Sequence, residues 1–467
     1  MTKAVGWQSV TKGRNKKRKQ EMIKTSLTRK LGFFPATNIV IANMIGAGIF
    51  TTSGLLLADL HHPLLMIGLW IIGGMIALCG SLSYGELGAA IPEAGGEYLF
   101  LSRIFHPIFG FLSGWMSFIV GFTAAIAASS IGFSEYLLRA FPEINSFMVD
   151  NLHFSSLATQ KIISLIIILL FTVLHSGGLK TGIRVQNVLT ILKVVLIVGL
   201  VGITLLSSKG DVSHFHLEES IDFRWANWKT IGLSLMWIMF AYSGWNASTY
   251  IGSEIKNPLR NLPASLLAGT FIVILLYLAL NIVFVYAIPP SEMKGVISVG
   301  GLAMGKLFGP VAERLFSVLI SFALFSSLSA FIIVGPRVYY SMAKDGLFFK
   351  SIAKVHPRFG VPSTAIIWQG TIAAVFVLSG TFEQILTYLG FSLGIFPILT
   401  VAALIKLRIK KQVPVKLPGF PVVQIVYILA GTLILLLAFL ERPLESGVAI
   451  VTLLAGIPVY WMFKKLK

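Results

Sequence analysis

One cysteine, Cys79, in a chain of 467 residues excludes an intrachain disulfide and every Cys–Cys metal motif. Charge is scarce as well. Only 12% of the residues are Asp, Glu, Lys or Arg, against about 25% in soluble domains, which excludes a string of soluble domains. Residues 1–30 are polar and hold no apolar stretch of the signal-peptide kind, so no cleaved signal is expected. Short alternating strands are missing too, which speaks against a membrane β-barrel.

What fills the chain is apolar. Hydrophobic residues make up 55% of it and the mean hydropathy is +0.83. The runs Ile163 to Val173, Val194 to Leu206 and Tyr427 to Leu440 carry few or no ionisable groups. A helix needs about 20 apolar residues to cross the hydrocarbon core. Candidate spans fall near 34–57, 63–90, 107–138, 160–177, 182–206 and 229–251, then 263–288, 310–342, 363–380, 383–405, 421–440 and 444–463. The fold expected is an all-α integral membrane protein of about twelve transmembrane helices.

A net charge of +19 invites a nucleic-acid reading, but its distribution points elsewhere. With the N-terminus placed inside and the loops alternating, about 28 Lys/Arg fall on the inner side and about 9 outside, with Lys193 alone within a span. The dense runs Lys12 to Lys19, Lys344 to Arg358, Lys406 to Lys416 and Lys464 to Lys467 share one side. The basicity therefore reports topology, with both termini cytoplasmic, in a multi-pass protein of the cell membrane. No nucleic-acid partner is expected, since no soluble domain offers a groove. The basic tail is read as a cytoplasmic arm able to touch anionic lipid.

Two spans are interrupted alike. The first runs Asn38-Ile-Val-Ile-Ala-Asn-Met-Ile-Gly46-Ala-Gly48-Ile-Phe50, and the sixth reads Phe240-Ala-Tyr-Ser-Gly244-Trp-Asn246. Paired interruptions at matching places point to an internal repeat and a midplane binding site. Spans 1–5 and 6–10 would be the repeats, inverted because each has an odd number of spans. The expected division is a tail at 1–33, repeat 1 at 34–206, an outer loop at 207–228, repeat 2 at 229–406, an inner loop at 407–420, and spans 11 and 12 with a short tail at 421–467. Unwinding a helix frees N–H and C=O groups that lipid cannot satisfy, so such a break survives where it lines an enclosed cavity. A half-helix N-terminus favours a carboxylate and freed carbonyls accept bonds from an ammonium, so a zwitterion suits both. Alternatively, Gly46 and Gly48 serve close helix packing.

The chain resembles the amino acid–polyamine–organocation superfamily, and within it most the L-type amino acid transporter-like branch. Ile45-Gly-Ala-Gly-Ile-Phe50 carries the first match, and Ser83-Tyr-Gly-Glu86-Leu-Gly with Ile91-Pro-Glu-Ala-Gly-Gly-Glu-Tyr98 the second. The third is Phe240 to Asn246 with Gly252-Ser-Glu-Ile-Lys-Asn-Pro258-Leu-Arg260-Asn-Leu-Pro263; a looser fourth runs from Gly335-Pro-Arg337 to Asp345-Gly346. The resemblance implies that Ile45, Gly46, Ala47 and Gly48 hold a substrate carboxylate. Phe240, Ala241, Ser243 and Gly244 would receive the α-ammonium, and Phe240 would be the gate over bound substrate, or else an ordinary packing or lipid-facing ring. Glu86, Glu254, Arg260 and Arg337 would form inner-gate ion pairs, or else be ordinary interfacial charges.

Lys193, deep in span 5, is a functional candidate by its depth alone. The resemblance places it where sodium-independent relatives carry a lysine, bridging spans 1 and 8 in place of a sodium ion and able to exchange a proton. A lysine that snorkels to headgroups is the alternative. Pro92, Gly95 and Gly96 suggest a short interfacial helix on the inner surface. Ser329 departs from the Asn of many L-type relatives, leaving a smaller, hydroxylic wall. No Asp or Glu is evident at mid-span depth beside the breaks, which favours neutral substrates.

The expected function is therefore sodium-independent transport of neutral L-amino acids by alternating access, as exchanger or proton symporter. A polyamine or cationic amino acid permease of the same fold is the alternative, and a channel or a non-transporting receptor the rival from another class. No repeated filter motif supports a channel. No nucleophile–base pair or HExxH helix supports an enzyme. His61-His62 and His214/His216 have no clustered carboxylate or thiol to complete a metal site, so neither metal nor cofactor is expected. Animal L-type relatives use an accessory subunit, which nothing in this sequence demands.

Overall fold

The computed structural model describes residues 29–176, 182–215, 225–354, 356 and 361–466. Most of the tail at 1–33, with its Lys12 to Lys19 run, lies outside them, as do His216 and part of the loop at 207–228.

Among the described residues, twelve spans follow one another. Span 1 comprises Phe33–Met44 and Ala47–Leu60, span 2 Pro63–Ala90, and span 3 Pro107–Met116 with Phe122–Ala140. Spans 4 and 5 are Ser156–Ser176 and Gly182–Ser207; span 6 is Trp225–Ala241 with Ala247–Tyr250. Spans 7 to 9 are Pro258–Ala287, Pro310–Lys344 and Ser363–Ser379. Spans 10 to 12 are Phe382–Ile409, Val422–Glu441 and Pro443–Lys465. By length and composition, ten helices among the described residues can cross a membrane. Span 9, at 17 residues, is shorter, and span 6 is divided by its break.

The starts of these helices are written locally. Pro63, Pro107, Pro258, Pro310 and Pro443 each open a span, where a missing N–H costs nothing. Nδ1 of His62 accepts from the Leu65 N–H and Nδ1 of His106 from the Ile108 N–H, so both histidines cap helices. Thr381 and Gln384 form a capping box at span 10. Inside the spans, hydroxyls turn back to the preceding helical turn, as Thr51 does to the Ala47 carbonyl and Thr52 to that of Gly48.

Packing sorts the spans into inner and outer. Spans 1, 3 and 8 are buried along most of their length; spans 4, 5, 11 and 12 turn most of theirs outward. Leu169, Val195, Leu429 and Val451 are exposed on the outer ones, as a lipid-facing surface requires. The most extensive packing joins span 2 to span 7 and span 3 to span 8.

Both breaks are real. Ile45 and Gly46 leave helical geometry, and Gly46 caps the second half of span 1 with extended backbone. In span 6 the chain turns through Gly244 at φ +99, where a Cβ would meet Asn43 of span 1 at 2.7 Å. Of the two span 1 glycines, Gly48 is the packing residue: its Cβ would lie 2.5 Å from Cα of Ala241. Gly46 has nothing nearer than 3.7 Å and belongs to the break itself. A third irregularity is the π-helical turn Ser117–Gly121 in span 3.

A short helix forms after span 2, as Pro92, Gly95 and Gly96 suggested, over Glu97–Ile104. It does not simply lie on a surface. Glu97, Tyr98, Leu99, Phe100, Leu101 and Ile104 are buried, because the helix packs onto span 10 and the start of span 3.

Candidate functional site

The groups freed by the two breaks find specific partners. The Met44 and Ala241 carbonyls both accept from the Tyr277 hydroxyl of span 7, at 2.6 and 3.0 Å, so one phenol joins the two breaks. The Ile45 carbonyl accepts from Ser327 Oγ of span 8 at 2.8 Å and from Lys193 Nζ at 2.5 Å. Lys193 also donates to Ser327 Oγ at 2.9 Å and is 1% exposed, so it reaches inward to spans 1 and 8 rather than outward to headgroups. The second half of span 1 begins at Gly46 without a side-chain cap, and the first N–H groups of a helix have no partner within it.

A cavity of about 110 Å³ lies beside the break of span 6, room for several waters. Spans 1, 3, 6, 8, 10 and 11 wall it through Asn43, Phe122, Phe240, Val334, Gly394 and Tyr427, and the segment after span 2 contributes Glu97. Of the residues expected to bind substrate, Phe240, Ser243 and Gly244 line this cavity. Ile45, Gly46, Ala47, Gly48 and Ala241 are buried and do not. The Ala241 carbonyl is already engaged by Tyr277, and the Phe240 carbonyl accepts from the Ser243 N–H at 2.8 Å. Ser329 is buried, and Phe331 and Val334 form the span 8 wall instead.

The charged candidates divide into two pairs and a remainder. Arg337 Nε donates to Glu254 at 3.1 Å, joining the C-terminal part of span 8 to the segment after span 6. Glu86 does not meet Arg260 or Arg337. Its carboxylate, 1% exposed, takes a two-pronged bond from Arg408 at the end of span 10 and one from the Leu417 N–H. Arg260 is exposed. At the opposite end of span 8, Arg139 of span 3 pairs with Glu313 at 2.6 Å and donates to Ser298.

The comparison with known proteins follows this geometry. The family model for amino acid permeases matches residues 31–463, nearly the whole chain. The chain belongs to the amino acid permease family. It is 26% identical over 445 residues to the large neutral amino acids transporter small subunit 2 of Oryctolagus cuniculus, covering 94% of this chain and 81% of that one. It is 29% identical to the serine/threonine exchanger SteT of Bacillus subtilis, over 94% of this chain and 98% of that one. With the b(0,+)-type amino acid transporter 1 of Mus musculus it shares 27%, over 95% and 89%. This permease is thus a multi-pass membrane transporter of amino acids, not an enzyme.

Several residues of the permease site were not legible beforehand. Tyr277, Ser327 and Arg408 gave no signal beyond residue type, since aromatic and hydroxyl residues abound in these spans and Arg408 sits in a run counted for topology. Glu97 was visible only within its motif. Chain order puts it between spans 2 and 3, yet its Oε1 accepts from Nδ2 of Asn246, the last residue of the span 6 break, at 2.9 Å. An acid does stand beside a break, supplied by a segment outside the spans, and this corrects the expectation that none would. Among the described residues, no three His, Cys, Asp or Glu side chains come together as metal ligands do.

Proposed function

We propose that this permease carries neutral L-amino acids without sodium, by alternating access, as an exchanger or a proton symporter. The observation that carries the reading is Lys193: its ammonium sits between the Ile45 carbonyl of span 1 and Ser327 of span 8, where it supplies a fixed positive charge to the break. A transporter with a built-in cation there needs no sodium ion to join the two spans. Substrate binds at the span 6 break with its carboxylate toward the N–H groups of Gly46 to Gly48 and its ammonium toward the backbone of Phe240, Ala241, Ser243 and Gly244. Phe240 is the gate, a reading supported by its place on the cavity wall while Ile45 to Gly48 stay shut off from that cavity. Glu254 with Arg337, and Glu86 with Arg408, hold the inner side and exchange partners as one bundle rocks against the other. Spans 1–5 and 6–10 act as inverted repeats, with the basic loops and both termini on the cytoplasmic side of the cell membrane. The rabbit relative is by its name a small subunit of its transporter. Here both breaks and the cavity close within one chain, and transport requires no accessory subunit.

The test is uptake of a labelled panel of L-amino acids into proteoliposomes, with and without sodium and with and without internal amino acid. Sodium-independent uptake that requires internal substrate makes the protein an exchanger; uptake into empty vesicles driven by an inward proton gradient makes it a symporter. Strict sodium dependence, or uptake of basic amino acids and polyamines alone, overturns the reading.

A further inference from the structure

Glu97 is the part of the cavity that the scheme above does not use. Gly95 and Gly96 precede it at φ +133 and +53, and a Cβ on Gly96 would lie 2.5 Å from the ring of Tyr250. Only glycine lets the chain press on that ring and turn the next side chain inward. The result is a glutamate 7% exposed that borders the cavity with Phe240 and Ser243.

Its neighbours are polar but uncharged. Oε1 accepts from the Tyr84 hydroxyl of span 2 at 2.8 Å and from Asn246 at 2.9 Å, and Ser113 of span 3 also bonds it. Tyr250 from the second half of span 6 and Tyr427 from span 11 face it. Four cations on neighbouring segments have other partners: Arg103 has Glu93, Arg408 has Glu86, Lys406 the Ile104 carbonyl and Arg337 Glu254. Among the described residues, no Lys, Arg or His pairs with Glu97, whereas Glu86, Glu93 and Glu254 each have an arginine. Burial pushes its carboxyl up to about 7, with the bonds from Tyr84, Asn246 and Ser113 pulling the other way.

We propose that Glu97 is a proton-binding site of the transport pathway, its carboxyl holding a proton while the cavity is closed and releasing it to water when the cavity opens. The O–H bond breaks, the electron pair stays on the carboxylate, and water carries the proton away; nothing else is consumed. Closing the cavity favours the neutral acid because an unpaired charge there has only dipoles around it. Opening it restores hydration and favours the anion. The site couples to transport because Asn246, its partner, belongs to the break where substrate binds, and to that extent the inference rests on the transport reading.

Two measurements on the full-length protein decide it. In proteoliposomes, exchange of an amino acid found in the uptake panel is followed with pH varied equally on both sides. Wild type is expected to show a step centred near pH 7, E97D to keep a step, and E97Q to lose it and stay at the acid-side rate, since Gln mimics the protonated acid. An unchanged step in E97Q, or no step in wild type, overturns the proposal. In purified protein, infrared difference spectra across the same pH range should show a protonated-carboxyl band that disappears as pH rises and is missing in E97Q. Its absence from wild type, or its persistence in E97Q, overturns the proposal even if no amino acid is transported, so the two readings fail separately.

Discussion

Gly48 of span 1 packs against Ala241 of span 6 so closely that a methyl on the glycine would lie 2.5 Å from the alanine Cα. The two broken helices are therefore keyed to each other by the absence of one side chain. Gly48→Ala has to push backbone aside, at a cost of about 1–3 kcal/mol for overpacking. Amino acid uptake should fall by at least about tenfold, the equivalent of ~1.4 kcal/mol. Gly46→Ala, whose new methyl would sit in ordinary contact 3.7 Å from Ser327 Oγ and whose φ is negative, should lose far less. Equal losses in the two variants would show that packing against Ala241 is not the reason for the glycine.

Lys193→Met removes the ammonium and keeps the length of the side chain. The Ile45 carbonyl then retains only the Ser327 hydroxyl. Uptake should drop by at least about tenfold. Unaltered turnover in the variant would remove the lysine from the mechanism.

Phe240→Ala opens the cavity wall beside the span 6 break. If the ring closes over substrate, the variant binds amino acid but turns it over slowly, so exchange slows more than equilibrium binding weakens. Phe240→Trp, which keeps an aromatic lid, should retain more exchange than the alanine variant. Normal exchange by Phe240→Ala sinks the gate assignment.

The Glu86–Arg408 and Glu254–Arg337 pairs should behave differently. Glu86 and Arg408 are nearly sealed from solvent, at 1% and 10% side-chain exposure, whereas Glu254 and Arg337 are at 12% and 27%. Removing one partner of a buried pair costs about 3–5 kcal/mol. Glu86→Gln should therefore lower the thermal midpoint of the purified protein clearly more than Glu254→Gln does. For the more open pair the readout is transport: Glu254→Arg and Arg337→Glu should each impair uptake, and their combination should recover part of it. No recovery in the double variant argues against a direct gating pair.

How much of this lay in the sequence differs from element to element. The pairing of Gly48 with Ala241 was foreshadowed twice, as one of two broken spans and as a glycine suited to close packing. What could not be read was which glycine did which task. That depends on how near span 6 approaches, and two neighbouring glycines two residues apart look alike in a string. Lys193 announced itself, because an ionisable group within an apolar run is conspicuous wherever the helix packs. Glu86, Glu254, Arg260 and Arg337 announced themselves as charges at helix ends, but their partners did not, and Arg408 took Glu86 across 322 residues of chain.

The sequence by itself determined the helices, their approximate ends and the two breaks. These follow from local quantities: apolar run length set by bilayer thickness, and proline and glycine geometry. Tertiary structure alone decided who satisfies the freed backbone and what faces the cavity. Tyr277 joins the Met44 and Ala241 carbonyls, Lys193 reaches an oxygen 148 residues away, and Glu97 arrives beside Asn246 from 149 residues away. A hydrogen bond has a reach of about 3 Å, so its partner is set by how helices pack and not by their order along the chain.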